Sequence, residues 1–213
     1  MSDMKIALSV VGISHAEIAD RTRRWDQCLS NIQETIIDPF KSVGSVKTYI
    51  TTYDHQYIQP LLEFFNPEKY LVSDITGSNQ LDTYINSLSL LLDEDIDIVV
   101  TTRFDILFSK PITDLGMHYD KFNVLFAEDG WTHLNFTCDN LFVFPRRMLY
   151  SFITAIKQWK VNKPFPHTSV YGLHGVFREM ELLVGCDQVN IVSNKVQRCH
   201  DNEYYFLPTV PRN

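Results

Sequence analysis

The run Ile98-Val99-Val100-Thr101-Thr102 is apolar and β-branched, and it ends on Arg103-Phe104-Asp105. A stretch of this kind without polar alternation reads as a strand covered on both faces, as in a parallel sheet. Parallel sheets bind their ligands in the crevice beyond the carboxyl ends of the strands. The chain therefore delivers an arginine and a carboxylate to the place where such a sheet does its chemistry.

The rest of the chain alternates in the same style. Lys5 to Ile13 is an apolar run suited to a buried first strand, and Ala16 to Thr35, with Ile18, Trp25, Leu29 and Ile32 along roughly one face, predicts a helix. Ser45 to Thr52 reads as a second strand, and Ile58 to Phe65 as a helix stopped ahead of Pro67. Tyr70 to Val72 is a brief third strand, Ser78 to Leu92 a helix with Leu81, Tyr84, Ile85 and Leu88 inward, and Ile96 to Thr101 the fourth strand. Phe122 to Phe126 and Leu141 to Phe144 follow as strands in hairpin-like succession, then helices over Arg147 to Trp159 and Val170 to Leu183, and a last strand at Val189 to Val192. Trp25, Tyr84 and Trp159 fall at helical spacings with other apolar residues and are expected in the core. The pattern predicts an α/β fold with a mixed, mostly parallel β-sheet flanked by helices. A single domain is expected over residues 1–206, its first 105 residues forming one half and residues 106–206 the other. Residues 207–213 have linker chemistry, so further domains could follow.

Composition narrows the class. With 213 residues, 45% of them hydrophobic and 13% aromatic, the chain can bury one large core. A formal charge of -7 argues against nucleic acid or an anionic bilayer as partner, because binding to phosphates needs clustered Lys and Arg. Cys28, Cys138, Cys186 and Cys199 stand far apart without a C-x-x-C pair, which favours reduced thiols in a cytoplasmic setting over disulfides or a structural zinc site. The run Ile6 to Ile13 is too short to cross a membrane.

Two charged pairs compete for ligand chemistry: Asp95 with Asp97, spaced D-x-D, and Arg103 with Asp105, spaced R-x-D. Asp95 and Asp97 begin the apolar run, the end of a parallel strand that faces away from the crevice, and read as a solvated acidic turn. Asp105 lies at its finish. The alternatives for Asp105 and Arg103 are a turn aspartate and a salt bridge. Asp129 lies past the Phe122 to Phe126 strand. Asp139 begins the next, which, if antiparallel, starts at the same edge. Glu128 is close by. The loop between them holds Trp131, His133, Asn135 and Phe136, a content that suits sugar binding as well as a packed loop.

With its strand ending Thr101-Thr102-Arg103-Phe104-Asp105, the chain resembles nucleotide-sugar-dependent glycosyltransferases of the GT-A fold, in particular the small GT-A domains encoded by chlorella-type large DNA viruses. The resemblance covers the layout of the whole chain and one specific motif. It implies transfer of a sugar from a UDP-sugar, of the UDP-glucose or UDP-rhamnose type, to a carbohydrate acceptor, within a host cytoplasm. The family motif is usually D-x-D, both acids serving a divalent cation that bridges the donor phosphates, so the resemblance implies Mn2+ or Mg2+ at Asp105. Here Arg103 replaces the first acid and can offer its forked donors to phosphate directly. The resemblance also implies that Gly12, Ile13 and Ser14, with Tyr53 and Asp54, hold uracil and ribose. Tyr53 could stack on the base and Asp54 could accept from ribose hydroxyls, although turn chemistry explains both equally. Asp74, Thr76, Ser78 and Asn79 follow the third strand and open the next helix, where capping is the simpler role. Asp139 and Asp129 are the candidates for deprotonating the acceptor or contacting sugar hydroxyls. Since GT-A enzymes often draw a metal ligand from a C-terminal histidine, His200 is the candidate for that role; His167 and His174 could touch the acceptor.

Other functions stand beside this one. A nucleotidyltransferase needs a Gly-rich, basic first loop, which Gly12-Ile13-Ser14-His15 is not, and no P-loop is present. A non-catalytic carbohydrate-binding or nucleotide-sugar-binding domain remains open, and the R-x-D departure is the feature that favours it.

Overall fold

The structure, a computed structural model, describes residues 3–18, 21–74, 79–129, 136–162, 172–199, 201–207 and 210–211. Its centre is a seven-stranded sheet built from β1 (Met4–Val11), β2 (Gly44–Tyr53), β3 (Lys69–Ser73), β4 (Ile98–Arg103), β5 (Phe122–Val124), β6 (Leu141–Pro145) and β7 (Val189–Ile191). The spatial order is β7-β5-β6-β4-β1-β2-β3. Strands β1 to β4 are mutually parallel, β6 runs antiparallel to both β4 and β5, and β7 is parallel to β5. The mixed, mostly parallel α/β sheet expected from the alternation is the one observed, and the antiparallel strand is β6.

Side chains along each strand alternate between two cores. Ile6, Leu8 and Val10 of β1, with Ile98 and Val100 of β4, face a helical run over residues 29–41 (α1) and α2 (Ile58–Phe65). Ala7, Val11 and Val99 face α3 (Gln80–Ser89), α4 (Leu149–Asn162) and α5 (Val176–Val184). On that second face Phe122, Phe142, Phe144 and Phe152 pack with ring centroids 4.8–5.7 Å apart, each ring contributing about 2–3 kcal/mol of burial. Tyr84 and Trp159 are buried there too, as their spacing predicted.

Most elements fall where the sequence put them, and α2 matches residue for residue. Asn66 closes α2 in the left-handed conformation (φ 40°) and donates its N–H to the Leu62 carbonyl at 2.9 Å, with Pro67 following. The segment after β1 differs. Instead of a helix from Ala16, His15–Ile18 pairs antiparallel with Arg21–Arg24, and Val210–Pro211 adds a third strand. The first pairing is local, but the third strand comes from a distant segment, which local periodicity does not contain. The helical run starts at Leu29 and continues past Thr35, through Pro39, to Lys41. Pro39 cannot donate to the Thr35 carbonyl one turn back, and the widened π-helical turn over Gln33–Ile37 lets the helix continue past it. Residues 207–213, expected to be linker, thus contain a paired strand.

Among the described residues no helix is long and apolar enough to cross a membrane. The four cysteines form no disulfide.

Candidate functional site

The strand order turns round at β1. The chain adds β2 and β3 outward on one side of it, then returns to place β4 on the other. Such a reversal leaves a crevice at the carboxyl ends of the two flanking strands. Val11 and Arg103, register partners at the ends of β1 and β4, lie at its base.

Strand β6 fills the other flank. Its antiparallel course pairs Leu141 with Thr102, which brings the preceding Asp139 and Asn140 to the same rim as the end of β4. The Thr102 hydroxyl donates to the Asn140 carbonyl at 3.0 Å and fixes that approach. Arg103 then donates from Nε and Nη2 to the two carboxylate oxygens of Asp105, at 2.9 and 2.8 Å, and from Nη1 to Oδ1 of Asn140 at 3.1 Å. The pair is largely sheltered, with 19% and 10% of the two side chains exposed. Burial opposes the guanidinium charge, but Asp105 and Asp139 together hold its pKa above the ordinary arginine value.

Asp139 is the most enclosed of the acids. Its Oδ2 accepts from Gln80 Nε2 at 3.0 Å, at the first turn of α3, and lies 3.6 Å from His174 Nε2. Burial pushes this carboxyl up, yet the charges of His174 and Arg103, the Gln80 amide and a backbone N–H at Leu173 together hold it below the ordinary aspartate value. It stands ionised at neutral pH. Gly172 closes the pocket in a backbone conformation with φ +27°, and a Cβ there would press on Gln80 and stand 2.9 Å from Asp139 Oδ2. Gly172→Ala is expected to cost about 1–3 kcal/mol through this overlap and the backbone strain; an unchanged melting temperature would show that the three groups are not packed together.

The rim beside β1 and β2 is built differently. Gly12 has φ +108° and turns the chain out of β1. Its carbonyl accepts from the Thr52 hydroxyl at 2.9 Å, Thr52 Oγ1 and Ser14 Oγ stand 2.7 Å apart, and Ser14 Oγ is 2.7 Å from His55 Nε2. The Tyr57 N–H donates to His55 Nδ1 at 3.1 Å. With the Thr52 proton committed to Gly12, Ser14 donates to Thr52 and Nε2–H of His55 donates to Ser14. Donors and acceptors match only for the neutral imidazole protonated at Nε2. Ser14 is thus a buried strut between two strand ends.

The expected residues divide into groups. Arg103, Asp105 and Asp139 converge, and Gly12, Ile13 and Ser14 lie across the crevice from them. Tyr53 is 7% exposed with its hydroxyl bonded to Thr83, which leaves little ring to stack on a base. Asp54 and Asp74 are exposed beyond β2 and β3. The Asn79 side chain accepts from the Asp82 N–H at 3.0 Å and caps α3. Asp129 is exposed and pairs with Arg198 at 2.8 Å, on a ribbon where Ala127–Glu128 runs parallel to Val196–Gln197. Asp95 pairs with Lys5 at the opposite end of the sheet, as the acidic-turn reading required. Thr76, Ser78, Trp131, His133, Asn135, His167 and His200 lie outside the described residues.

Among the described residues a possible metal-binding triad stands beside Asp139. A carboxylate oxygen of Glu128, a ring nitrogen of His174 and Sγ of Cys199 all lie within 4.8 Å of one another. Glu128 takes the backbone N–H of Cys199 on Oε1 at 3.1 Å, and its thiol on Oε2 at 2.8 Å. Burial, the nearby Cys138 and Asp139 and the bond to Glu128 all raise the Cys199 thiol far above its ordinary value, so the proton stays on sulfur. In sequence Glu128 was a reserve acid, His174 a possible acceptor contact and Cys199 a reduced thiol. The one available signal was that Cys199 adjoins His200, in the segment expected to supply a ligand.

The chain matches no protein-family model and no curated protein by sequence.

Proposed function

We propose that this chain is a glycosyltransferase of the GT-A type, moving a sugar from a UDP-sugar of the UDP-glucose or UDP-rhamnose type to a carbohydrate acceptor. The observation that carries this reading is the meeting of Arg103, Asp105 and Asp139 at the carboxyl edge of the sheet, where its strand order reverses. One cation and one ionised, buried carboxylate side by side on one wall of a crevice suit a reaction in which a diphosphate leaves as a hydroxyl is deprotonated.

The roles follow from chemistry. Arg103, aimed by Asp105 and Asn140, meets the charge that builds on the departing diphosphate. Asp139, kept ionised, accepts the proton of the attacking acceptor hydroxyl. The turn at Gly12 and Ile13 and the exposed carboxylates of Asp54 and Asp74 are the contacts for nucleoside, and Asp129, held by Arg198, would meet sugar hydroxyls at the outer rim. Mn2+ or Mg2+ at Asp105, implied by the resemblance, does not fit the observed arrangement, because the Arg103 fork engages both of its oxygens. No step is assigned to such an ion.

UDP release from a panel of UDP-sugars, with and without chelator, tests the reading. Release from one sugar, raised by an added acceptor, is the expected result. The saturated fork favours a second reading, a non-catalytic nucleotide-sugar-binding domain, which would bind UDP and release none from any sugar.

A further inference from the structure

We propose that Glu128, His174 and Cys199 form a site for a thiophilic divalent cation, best filled by Zn2+, distinct from the hard-cation site expected at Asp105. The reading needs no sugar nucleotide and stands or falls apart from the transfer activity.

The donor set is the first argument. Carboxylate, imidazole and thiol form a mixed O, N and S set, which suits Zn2+, whereas Mg2+ and Mn2+ prefer all-oxygen surroundings. Zn2+ holds sulfur at about 2.3 Å and nitrogen or oxygen at about 2.0–2.2 Å. Tetrahedral geometry then spaces the ligand atoms roughly 3.3–3.8 Å apart. The three atoms here already lie within 4.8 Å of one another, and Sγ to Oε2 of Glu128 is 2.8 Å. The atoms thus need to shift by about 1 Å to reach that spacing.

The surroundings are the second argument. His174 Nδ1 lies 2.9 Å from the Thr137 carbonyl, which can only accept, so Nδ1 donates there and Nε2 is the nitrogen left to face a cation, giving up its own proton on binding wherever it carries one. The Thr137 N–H returns a bond to the His174 carbonyl at 2.9 Å. An imidazole whose other nitrogen donates to a backbone carbonyl is the arrangement that orients metal-binding histidines. Glu128 is likewise steadied by the Cys199 N–H, and the parallel pairing of Ala127–Glu128 with Val196–Gln197 sets the two ligand segments side by side. In the ion-free protein the thiol proton bridges sulfur and carboxylate. Binding exchanges it: the S–H bond breaks, an S–Zn bond forms, and the proton leaves to solvent. His174 and Cys199 are both partly exposed, so an ion can reach the site, and three protein ligands leave a fourth position open, as in catalytic rather than structural zinc sites.

Equilibrium dialysis of the chelator-stripped full chain against Zn2+ alone, read by elemental analysis, tests the site. The wild type is expected to bind one ion, and Cys199→Ser and Glu128→Gln to bind at least about tenfold more weakly. Cys186→Ser, at the exposed thiol, is expected to bind as the wild type does. Co2+ in place of Zn2+ is expected to show a thiolate charge-transfer band that Cys199→Ser removes. Melting curves in chelator establish that each variant is folded. No bound Zn2+ in the wild type, equal binding by Cys199→Ser, or a charge-transfer band lost only in Cys186→Ser would overturn the assignment.

Discussion

Arg103→Ala is expected to destabilise the protein by about 3–5 kcal/mol, the range for removing one partner of a buried ion pair, and to abolish any UDP release. The loss comes from what remains: Asp105 keeps its sheltered carboxylate, and Asp139 loses one of the charges that holds it ionised. Arg103→Leu combined with Asp105→Leu should recover part of the stability, since it removes both charges at once. The dependence on pH carries a definite sign. In the intact protein the folded-state pKa of Asp139 lies below its ordinary value of 3.8, so its contribution is full above that pH and is lost as the pH falls through the lowered folded value. Without Arg103, burial, the largest single influence on this carboxyl and an upward one, has less to oppose it. The deficit of Arg103→Ala against wild type should therefore shrink between about pH 7 and about pH 4 as Asp139 of the variant takes up its proton. Urea midpoints at the two pH values measure it, and a deficit that grows on acidification would sink this account of the cluster.

Asp139→Asn is expected to lower turnover by about 100- to 10,000-fold, the usual contribution of a positioned base, while UDP affinity stays near that of the wild type. The substitution keeps shape and leaves an acceptor oxygen for Gln80, so the fold should survive. The effect belongs in kcat, since in the proposed reaction the group acts on the acceptor proton and not on the nucleotide. Loss of UDP binding with turnover per bound donor unchanged would instead assign Asp139 to the architecture of the rim.

Much of this site can be reasoned from residue order, and the remainder shows where such reasoning stops. The end of β4 was legible because a β-branched run announces a buried strand, and its polarity then says which acid reaches the crevice. Asp139 was legible on the condition that β6 is antiparallel, which the register with β4 meets. The Arg103–Asp105 bond was half legible: residues two apart at a strand tip point the same way, so opposite charges there pair readily. What the spacing did not reveal is that the pair is sheltered and also engages Asn140. Glu128, His174 and Cys199 were illegible as a set, because three separate segments supply them and only the sheet brings those segments together. The strand at Val210–Pro211 was missed for the same reason, since it pairs with the distant Arg21–Thr22. The pairing of His15–Ile18 with Arg21–Arg24, by contrast, is local and was read as helix from the spacing of Ile18, Trp25, Leu29 and Ile32.

The reversal of β6 also bears on how this architecture can diversify. Because β5 and β6 run in opposite directions, the chain between them leaves and re-enters the sheet on one side, at the crevice. Insertions or deletions in that connection alter the mouth of the crevice while the strand register stays intact. In the parallel half each crossover must also carry a helix back across the sheet, so only the stretch between strand end and helix can vary in this way. The paired His15–Ile18 and Arg21–Arg24 after β1 occupy such a stretch. The mouth of the crevice can thus drift in shape through the length of one connection while the strands that frame it stay in register.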